Sequence, residues 1–481
     1  MSRRITLGPV NRVEGELEVQ LELQQGKIEA AYIKSTLYRG FENLLTGKEP
    51  LDALAITPRV CGICSVSQSV ASARAIADLA GASMPANGER VTNIILATEV
   101  VADLLTHFYL FFLPDFASPA YQDRSWYEEA ARRFTAVKGE RYGGLLKARA
   151  ELLHIMGVLA GKWPHSMVFQ PGGVTNNVSL SEQLKLQGIL SGFRNYLEAV
   201  LFGDRLETIA GLDSVQSLQQ WREAQQTSTA DLPLWLSISE DLALDQAGAG
   251  YNRFLAFPAY PLAGNRVYPG GVWLDGQVQS LDTTSINEHL GSAWLEGDIQ
   301  HPAVGNTRPL AEKADAYTWC KAPRYQQLPM ETGSLARQLL AGDPLAESLV
   351  NDGGSQVHSR ILMRLVEMAK LVIQMERGVR KINPKEPFCL PVELPSQGQG
   401  VGLTEAARGG LGHWLSVENG VISNYQLIAP TSWNFSPRDN NAIPGPLEFA
   451  LQGIDYESPT GQLRMQHVIR SFDPCMVCTV H

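Results

Sequence analysis

The spacing of apolar residues predicts a mostly helical fold with separate β-rich pieces, which places the chain in the α+β class. Helices are expected over residues 87–113, 146–159, 181–202, 357–382 and 463–469, and over residues 65–79, which are rich in alanine and serine. Within the segment 357–382, Ile361, Leu365 and Met368 begin one continuous apolar face. We therefore expect that segment to form a helix of the core.

Alternation of apolar and polar residues predicts strands near both ends of the chain. Residues 16–23 and 28–33 alternate on either side of a Gln25-Gly26 turn, which predicts a hairpin. Alternation returns from residue 398, so we expect further β structure over residues 398–435.

Between these regions, proline, glycine and tryptophan become frequent, which predicts a β-rich excursion from a helical body. We find no internal repeat and no low-complexity linker. We expect one unit with four successive segments: β-rich 1–60, helical 61–229, β-rich 230–325, and helical 326–481 with its included strands.

Composition favours a protein with a large core. Of the 481 residues, 44% are hydrophobic and 19% are charged, and the formal net charge is −10. Such an acidic chain has no general attraction for nucleic acid. Residues 97–113 are the most apolar stretch, but they include Glu99, Asp103 and His107, which favours a core helix over a membrane span.

The N-terminal sequence gives an expectation for location. Arg3-Arg4 is followed by a segment too polar to be the apolar region of an export signal. We therefore expect the chain to be cytoplasmic.

The cysteines carry the clearest chemistry. Four of the six form two CxxC pairs, Cys61 with Cys64 and Cys475 with Cys478. Thiolates are soft ligands that bind zinc, nickel and iron clusters in preference to magnesium or calcium. Because the pairs lie at opposite ends of the chain, we expect a buried metal centre where the ends meet. Zinc ribbons usually separate their pairs by about 15–20 residues, but structural zinc and a four-cysteine iron–sulfur cluster both remain open on spacing alone.

Several motifs resemble those of nickel–iron hydrogenase large subunits. The two signatures are RVCGIC at residues 59–64 and DPCMVCTVH at residues 473–481. Other similar segments follow in the family's order: NRVEG at 11–15, YRGFE at 38–42, PH at 164–165, PGG at 171–173, ARGGLGHW at 407–414 and YQLIAPTSWN at 425–434. The resemblance covers residues 9–481. It implies binding and heterolytic splitting of H2 at a nickel–iron centre whose iron carries one carbon monoxide and two cyanides.

The same resemblance implies roles for single residues near the centre. Cys61 and Cys475 would be terminal ligands of nickel, and Cys64 and Cys478 would bridge nickel to iron. The guanidinium of Arg408 would compensate negative charge beside the open coordination position and one cyanide.

Further residues complete the implied site. Asp103 and Asp473 would orient the Arg408 guanidinium, and Pro430 would shape the pocket. Ser432, with Thr431 as the alternative, would donate a hydrogen bond to the other cyanide. Glu14 would be the relay that collects a proton from a terminal cysteine, Cys475.

The resemblance also implies a second, hard metal site. Its ligands would be Glu42, the backbone carbonyl of Leu427, and His481. Carboxylate and carbonyl oxygens suit Mg²⁺, but a histidine ligand is less typical, so iron stays open.

Two departures from the family pattern bear on the biological role. Gln68 stands where the family has a histidine that bonds a bridging sulfur; its amide donates a hydrogen bond but does not titrate. The sequence also ends at His481, whereas most family precursors carry an extension that is removed after nickel is loaded. Both features resemble the H2-sensing, regulatory branch, which signals to a histidine kinase. The alternative is an energy-linked H2-uptake enzyme.

Electron transfer implies a partner. Only Cys320 and Cys389 remain outside the CxxC pairs, and they are isolated in sequence. We therefore expect an iron–sulfur small subunit with a large obligate interface, besides the maturation proteins that build the centre. Two rival hypotheses are a structural zinc protein and a complex I-like quinone-binding subunit, although that relative usually lacks these cysteines.

Overall fold

The computed structural model describes residues 3–262 and 265–479. Its helices are α1 (Phe41–Leu45), α2 (Ala53–Ile56), α3 (Ser65–Leu79), α4 (Ala86–Thr106), α5 (Tyr127–Phe134), α6 (Glu140–Ala160), α7 (Leu180–Tyr196), α8 (Leu206–Ala210), α9 (Val215–Ala224), α10 (Asp231–Asp241), α11 (Ser334–Leu340), α12 (Pro344–Asp352), α13 (Val357–Arg380), α14 (Pro430–Asn434), α15 (Pro446–Ala450) and α16 (Gly461–Ser471).

The strands are short and antiparallel where they pair. They are β1 (Arg3–Leu7), β2 (Leu17–Gln24), β3 (Lys27–Ser35), β4 (Phe169–Gln170), β5 (Gly173–Val174), β6 (Phe254–Ala256), β7 (Ala259–Leu262), β8 (Asn265–Tyr268), β9 (Gly271–Leu274), β10 (Gln277–Gln279), β11 (Ile286–His289), β12 (Ile299–Gln300), β13 (Ala322–Tyr325), β14 (Gly398–Ala406), β15 (Gly409–Glu418) and β16 (Val421–Ile428).

Two three-stranded sheets lie near the ends of the chain. The first has the order β1-β2-β3, and the alternation of β2 buries Leu17, Val19 and Leu21 on one face. The second is the meander β14-β15-β16, in which Ala406 pairs with Gly409 across a two-residue turn. That turn consists of Ala407 and Arg408, so the sheet itself places Arg408.

The core is built on the packing of α4 against α13. α4 continues into a π-helical turn, His107–Phe112. The helical run Ala86–Ala117 has the length and hydropathy of a membrane span, yet 83% of its most apolar window is buried inside the fold. The expectation of a core helix here is therefore confirmed.

Helix α3, which follows the first CxxC pair, lies directly on strand β14. A Cβ added at Gly402 would come within 1.9 Å of the Ala71 carbonyl oxygen, and one at Gly400 within 2.1 Å of the Ala75 oxygen. Glycine at these two positions allows the helix and strand backbones to touch. The contact fixes Cys64, at the start of α3, relative to the sheet that carries Arg408.

The main differences from expectation lie at element boundaries. The segment 230–325 begins with a helix, α10, and its strands start only at Phe254. α10 contains Leu232, Trp235 and Leu236, whose helical spacing was masked by the Pro and Trp content. The N-terminal sheet also contains a strand, β1, that the hairpin pattern did not include.

Candidate metal centre

Four buried cysteine sulfurs meet between the two ends of the chain. The Sγ atoms of Cys61, Cys64, Cys475 and Cys478 all lie within 4.8 Å of one another. Cys61 Sγ is 3.5 Å from Cys475 Sγ, and Cys64 Sγ is 3.3 Å from Cys478 Sγ. Cys475 Sγ and Cys478 Sγ are 3.0 Å apart, and none of the four cysteines forms a disulfide bond.

The first pair is held by the start of α3. Cys64 precedes the helix, and its backbone N–H donates to Cys61 Sγ at 3.4 Å. The carboxylate of Glu99, from α4, accepts hydrogen bonds from Val66 N at 2.7 Å and Ser67 N at 2.9 Å. A carboxylate on these otherwise unpaired N–H groups stabilises the helix end that carries Cys64.

The second pair is held by the segment that contains Glu14. Glu14 N donates to Pro474 O at 3.3 Å, and Met476 N donates to Glu14 O at 2.7 Å. Gly15 has φ +80, and a Cβ there would lie 2.9 Å from Val477 N, so the close approach requires glycine. Thr431 Oγ1 also accepts from Cys475 N at 3.2 Å.

Arg39 joins the two cysteine loops to each other. Its Nη2 donates to Arg59 O at 3.0 Å and its Nη1 to Val60 O at 2.5 Å, just before Cys61. The same Nη1 lies 3.3 Å from Val477 O, between the second pair of cysteines. The sequence marked Arg39 only as part of a motif. Its hydrogen bonds to three backbone carbonyls could not be predicted from the sequence, because every residue has a carbonyl and no residue type marks the acceptors.

Arg408 lies in a buried ion-pair network. Its Nη1 is 2.7 Å from Asp103 Oδ2, and its Nη2 is 3.1 Å from Asp473 Oδ1. Its Nε donates to the backbone oxygen of Asp473 at 3.0 Å. The structure therefore brings together the arginine and both carboxylates that the sequence singled out.

The electrostatics of this network follow from burial. Burial raises the pKa of Asp103 to about 7, although Arg408 opposes the rise. Burial would also raise the pKa of Asp473, but Arg408 and other cations hold it below its usual value. The two carboxylates in turn outweigh burial and raise the pKa of Arg408, so its guanidinium stays charged.

Asp473 does not cap the helical turn of the second CxxC pair, although an aspartate before a proline often begins such a turn. It has φ +56, and the turn that follows is Met476–Cys478, after Cys475. Asp473 instead turns its carboxylate to Arg408. The positive φ is tolerated at aspartate better than at most residues.

The donor set fits a pair of soft divalent metals. Contact with Cys475 and the other sulfurs lowers the pKa of Cys61 well below its usual value. Contact with Cys475 also raises the pKa values of Cys64 and Cys478. Four sulfurs this close hold several negative charges only when positive charge lies among them, which metal ions supply.

Gln68 and Ser432 bring further buried polar groups close to the cysteine segments. Gln68 lies one turn after Cys64; its Oε1 is 2.8 Å from His413 Nε2, and its Nε2 has no hydrogen-bond partner among the described residues. Ser432 lies in α14 beside Cys320, and its Oγ likewise makes no well-formed hydrogen bond there. Pro430 and Thr431 are buried in the same helix.

Two of the three implied ligands of the second metal site, Glu42 and Leu427, lie within the described residues. Glu42 is buried, and Leu427 N donates to its Oε1 at 3.0 Å. Lys321 Nζ lies 3.0 Å from Glu42 Oε2, 3.3 Å from Glu288 Oε2 and 2.7 Å from Gln426 Oε1. His481 lies outside the described residues. The sequence analysis missed Lys321 and Glu288, which are single charged residues in the β-rich segment 230–325 and belong to no motif.

Comparison with known proteins agrees with this geometry. A family model described as nickel-dependent hydrogenase matches residues 39–120 and 115–481. The periplasmic NiFeSe hydrogenase large subunit of Desulfomicrobium baculatum is 26% identical, over 99% of this chain and 95% of that one. The hydrogenase-2 large chain of Escherichia coli K12 is 27% identical, over 100% of this chain and 97% of that one.

The fold agrees as well. The structure of a reduced, active form of the Ni-Fe-Se hydrogenase from Desulfomicrobium baculatum superposes with a TM-score of 0.86 at 25% identity, and the match covers 100% of both chains. A structural zinc protein would share the four sulfurs but not this fold or these relatives. The chain therefore belongs to the nickel-dependent hydrogenase family, as the large subunit of a nickel–iron hydrogenase.

Proposed function

We propose that Cys61, Cys64, Cys475 and Cys478 bind one nickel–iron centre at which this subunit splits H2. The observation that carries the proposal is the meeting of all four Sγ atoms within 4.8 Å, in a buried site built from both chain ends. By the family resemblance, Cys64 and Cys478 would be the bridging ligands; their Sγ atoms are 3.3 Å apart. Cys61 and Cys475 would be the terminal ligands of nickel.

When bound, the centre would supply the redox chemistry of heterolytic H2 cleavage, with one carbon monoxide and two cyanides on iron. The charge of four thiolates and two cyanides exceeds that of two divalent metals, and a buried excess needs compensation. Arg408 would provide it, held in place by Asp103 at 2.7 Å and Asp473 at 3.1 Å.

Three residues of α14 would surround the diatomic ligands, and one of them would donate a hydrogen bond to a cyanide. Pro430 would exclude water from the pocket wall. Ser432 is the first candidate donor to a cyanide, because its Oγ makes no well-formed hydrogen bond in the described structure. Thr431 Oγ1 accepts from Cys475 N at 3.2 Å and keeps its O–H to donate, so it is the alternative.

Glu14 would carry the proton away from the Cys475 sulfur. Its backbone is bonded on both sides of Cys475, and its side chain is half-buried. Burial raises the pKa of Glu14, a neighbouring Cys61 thiolate adds to the rise, and Arg408 opposes it. A carboxyl at the border between the centre and solvent is placed to hold a proton and release it outward.

A second metal, Mg²⁺ or iron, would bind at Glu42, the carbonyl of Leu427 and His481. The support is the buried carboxylate of Glu42 beside β16, with the amide oxygen of Gln426 nearby. Lys321 already places one positive charge at this site, so the ion would have to share the Glu42 carboxylate with the ammonium group.

The electrons would leave through iron–sulfur clusters of a small subunit. The relatives are named large subunits or large chains, which implies such a partner. His165, whose Nδ1 is 3.1 Å from Pro58 O, lies beside the first cysteine loop, and Met167 is 48% exposed. We place the docking surface there, since a cluster bound at this face would be next to the cysteines. Maturation proteins would act before assembly.

We further propose a sensing role for the heterodimer, in which H2 binding signals to a histidine kinase in the cytoplasm. Gln68 motivates it: the amide is bonded to His413 at 2.8 Å and leaves Nε2 to bond a bridging sulfur without titrating. Energy-linked uptake is the alternative. H2-dependent change in kinase autophosphorylation together with slow turnover supports sensing, and rapid electron transfer to a quinone supports uptake.

Metal analysis with infrared spectroscopy tests the main proposal. Purified heterodimer should contain nickel and iron and show bands of metal-bound carbon monoxide and cyanide. Zinc alone, without those bands, would refute it. Cell fractionation tests whether the protein is cytoplasmic. The magnesium and iron contents of the heterodimer, measured after the nickel–iron centre has been loaded, identify the ion of the second site.

A further inference from the structure

Helix α13 carries three buried charged residues on one face. Arg360, Arg364 and Glu367 recur at a spacing of four and three residues, which puts them on one side of the helix. Their residue exposures are 3%, 4% and 0%. A buried charge is costly unless it is paired or hydrogen-bonded, so the contacts of these three residues show which segments α13 fixes in place.

The first two residues hold the segment before Asp473. Arg364 Nη1 donates to the backbone oxygen of Ser471. The Arg360 guanidinium lies 3.7 Å from the centroid of the Phe472 ring, and it is fixed by Glu331 at 2.8 Å and 3.0 Å. α13 thereby fixes the two residues that lead into Asp473.

The third residue holds the segment before Arg408 through another arginine. Glu367 binds Arg337 of α11 in a bidentate pair, with Nε–Oε1 at 2.5 Å and Nη2–Oε2 at 2.6 Å. Arg337 Nη1 donates to Glu405 Oε2 at 3.0 Å and to Ala406 O at 2.8 Å. Its Nη2 donates to Ala407 O at 3.0 Å.

We propose that Arg337 is a positioning residue for Arg408, acting through the Glu405 carboxylate and the backbone carbonyls of Ala406 and Ala407. This inference rests on the proposed role of Arg408 at the nickel–iron centre. Arg337 contacts three consecutive residues before Arg408, and Glu367 fixes its guanidinium in turn. α13 therefore fixes both partners of the Arg408–Asp473 ion pair. Its two arginines hold the segment before Asp473, and Glu367 holds the segment before Arg408 through Arg337.

Lysine cannot replace Arg337 in this geometry. The guanidinium presents five N–H donors in a rigid plane, whereas an ammonium group on a flexible stem cannot reach Glu367, Glu405 and two carbonyls together. Loss of the carbonyl contacts frees the Ala407-Arg408 turn. A displacement of about 1 Å at a reacting geometry costs on the order of a hundredfold in rate.

The test uses the complete heterodimer with R337K, compared at equal nickel content. We expect kcat for H2 oxidation to fall roughly tenfold to a hundredfold, with KM for H2 changed by less than about twofold. We also expect the cyanide infrared bands to shift, and a crystal structure to show the Arg408 guanidinium moved from Asp103. If R337K does not fold, E367Q keeps the side-chain volume and should shift kcat and the bands in the same direction.

A matched control comes from Arg324. It is also fully buried, pairs with Asp439 at 3.1 Å, and donates to Pro437 O at 3.0 Å, outside the Arg408 turn. R324K should lower thermal stability as R337K does, but leave kcat and the cyanide bands unchanged. Equal loss of kcat in both variants would overturn the inference.

A double-mutant cycle with R408K separates positioning from general damage. If Arg337 acts through Arg408, then R337K should lower the rate of the R408K enzyme by less than about twofold. Losses that multiply would overturn the positioning role. Normal turnover in R337K beside impaired R408K would overturn this inference alone, whereas normal turnover in R408K would overturn the proposed role of Arg408 as well.

Discussion

Two buried clusters of this subunit handle charge in opposite ways. In the sulfur cluster, thiols pack against thiols, with Cys475 Sγ and Cys478 Sγ 3.0 Å apart. In the oxygen cluster, Glu42 and Glu288 pack against the ammonium group of Lys321, at 3.0 Å and 3.3 Å. The first arrangement needs cations brought from outside, whereas the second already contains one from the chain.

The difference shows which site depends on metal for its chemistry. Neutral thiols pack as small apolar groups, but four ionised sulfurs this close require shared cations. A carboxylate–ammonium cluster stabilises a packed interior by itself, and a divalent ion there would add to an existing network. We therefore expect metal loss to abolish function at the sulfur cluster and to weaken structure at the oxygen cluster.

The largest effect should come from removing one sulfur. Cys478→Ser takes away a proposed bridging ligand, so we expect no nickel retention, no carbon monoxide or cyanide bands and no H2 turnover. The matched control is Cys389→Ser, an exposed and isolated thiol. Retained nickel with normal bands in Cys478→Ser would contradict the proposed ligand set.

Removing the internal cation should be the next largest effect. Lys321→Met leaves Glu42 and Glu288 buried without their ammonium partner, which should lower the free energy of unfolding by about 3 kcal/mol. The surface pair Arg222–Glu240 gives a comparison, since Arg222→Gln should cost less than about 1 kcal/mol. Urea titration of the heterodimer measures the free energy of unfolding of both variants. Equal losses of stability would show that Lys321 has no special structural role.

Glu14→Gln tests proton transfer at the sulfur cluster without touching a ligand. The amide keeps the shape but cannot carry a proton, so H2/D2 exchange should slow by about a hundredfold. The infrared bands should stay in place because the cysteines are unchanged. Normal exchange in this variant would exclude Glu14 as the relay.

The smallest effect concerns a third cluster, in which Asp115 is surrounded by cations. Arg470 Nη1 lies 2.5 Å from Asp115 Oδ2, and Arg12 pairs with Oδ1. Burial alone would raise the pKa of Asp115, but His467, Arg470 and Arg12 hold it at about 2.

The folded-state pKa of Asp115 lies below its unfolded value of about 3.9. The ionised carboxylate therefore stabilises the fold fully at pH values above about 3.9, and this stabilisation is lost as the pH falls towards 2. Asp115→Asn should flatten the acid side of the stability curve between these two values. Urea titrations at a series of pH values measure it. If the free energy of unfolding of the variant has the same pH dependence as that of the unaltered protein, Asp115 does not contribute this stability.

Sequence reasoning worked best where chemistry and spacing are both rare. Two CxxC pairs at opposite ends predicted a meeting of four sulfurs that the fold shows. Arg408, Asp103 and Asp473 also meet as the family resemblance implied. Helix α13 was found because its apolar face repeats, and α3 because residues 65–79 are rich in alanine and serine.

What sequence reasoning missed consists of side chains that act on backbone atoms. Arg39 and Arg337 bind carbonyls, which every residue has, so no pattern marks the partner. On α13 the apolar face was clear, but Arg360 and Arg364 would ordinarily belong to the solvated side of such a helix. Only the packing of a nearly fully enclosed helix shows that these charges are buried and paired.

Anomalous diffraction at the nickel and iron edges of the purified heterodimer would locate both metals directly. We expect one nickel and one iron peak among the sulfurs of Cys61, Cys64, Cys475 and Cys478. A single zinc peak at that position, or nickel bound elsewhere in the molecule, would contradict the proposed nickel–iron centre.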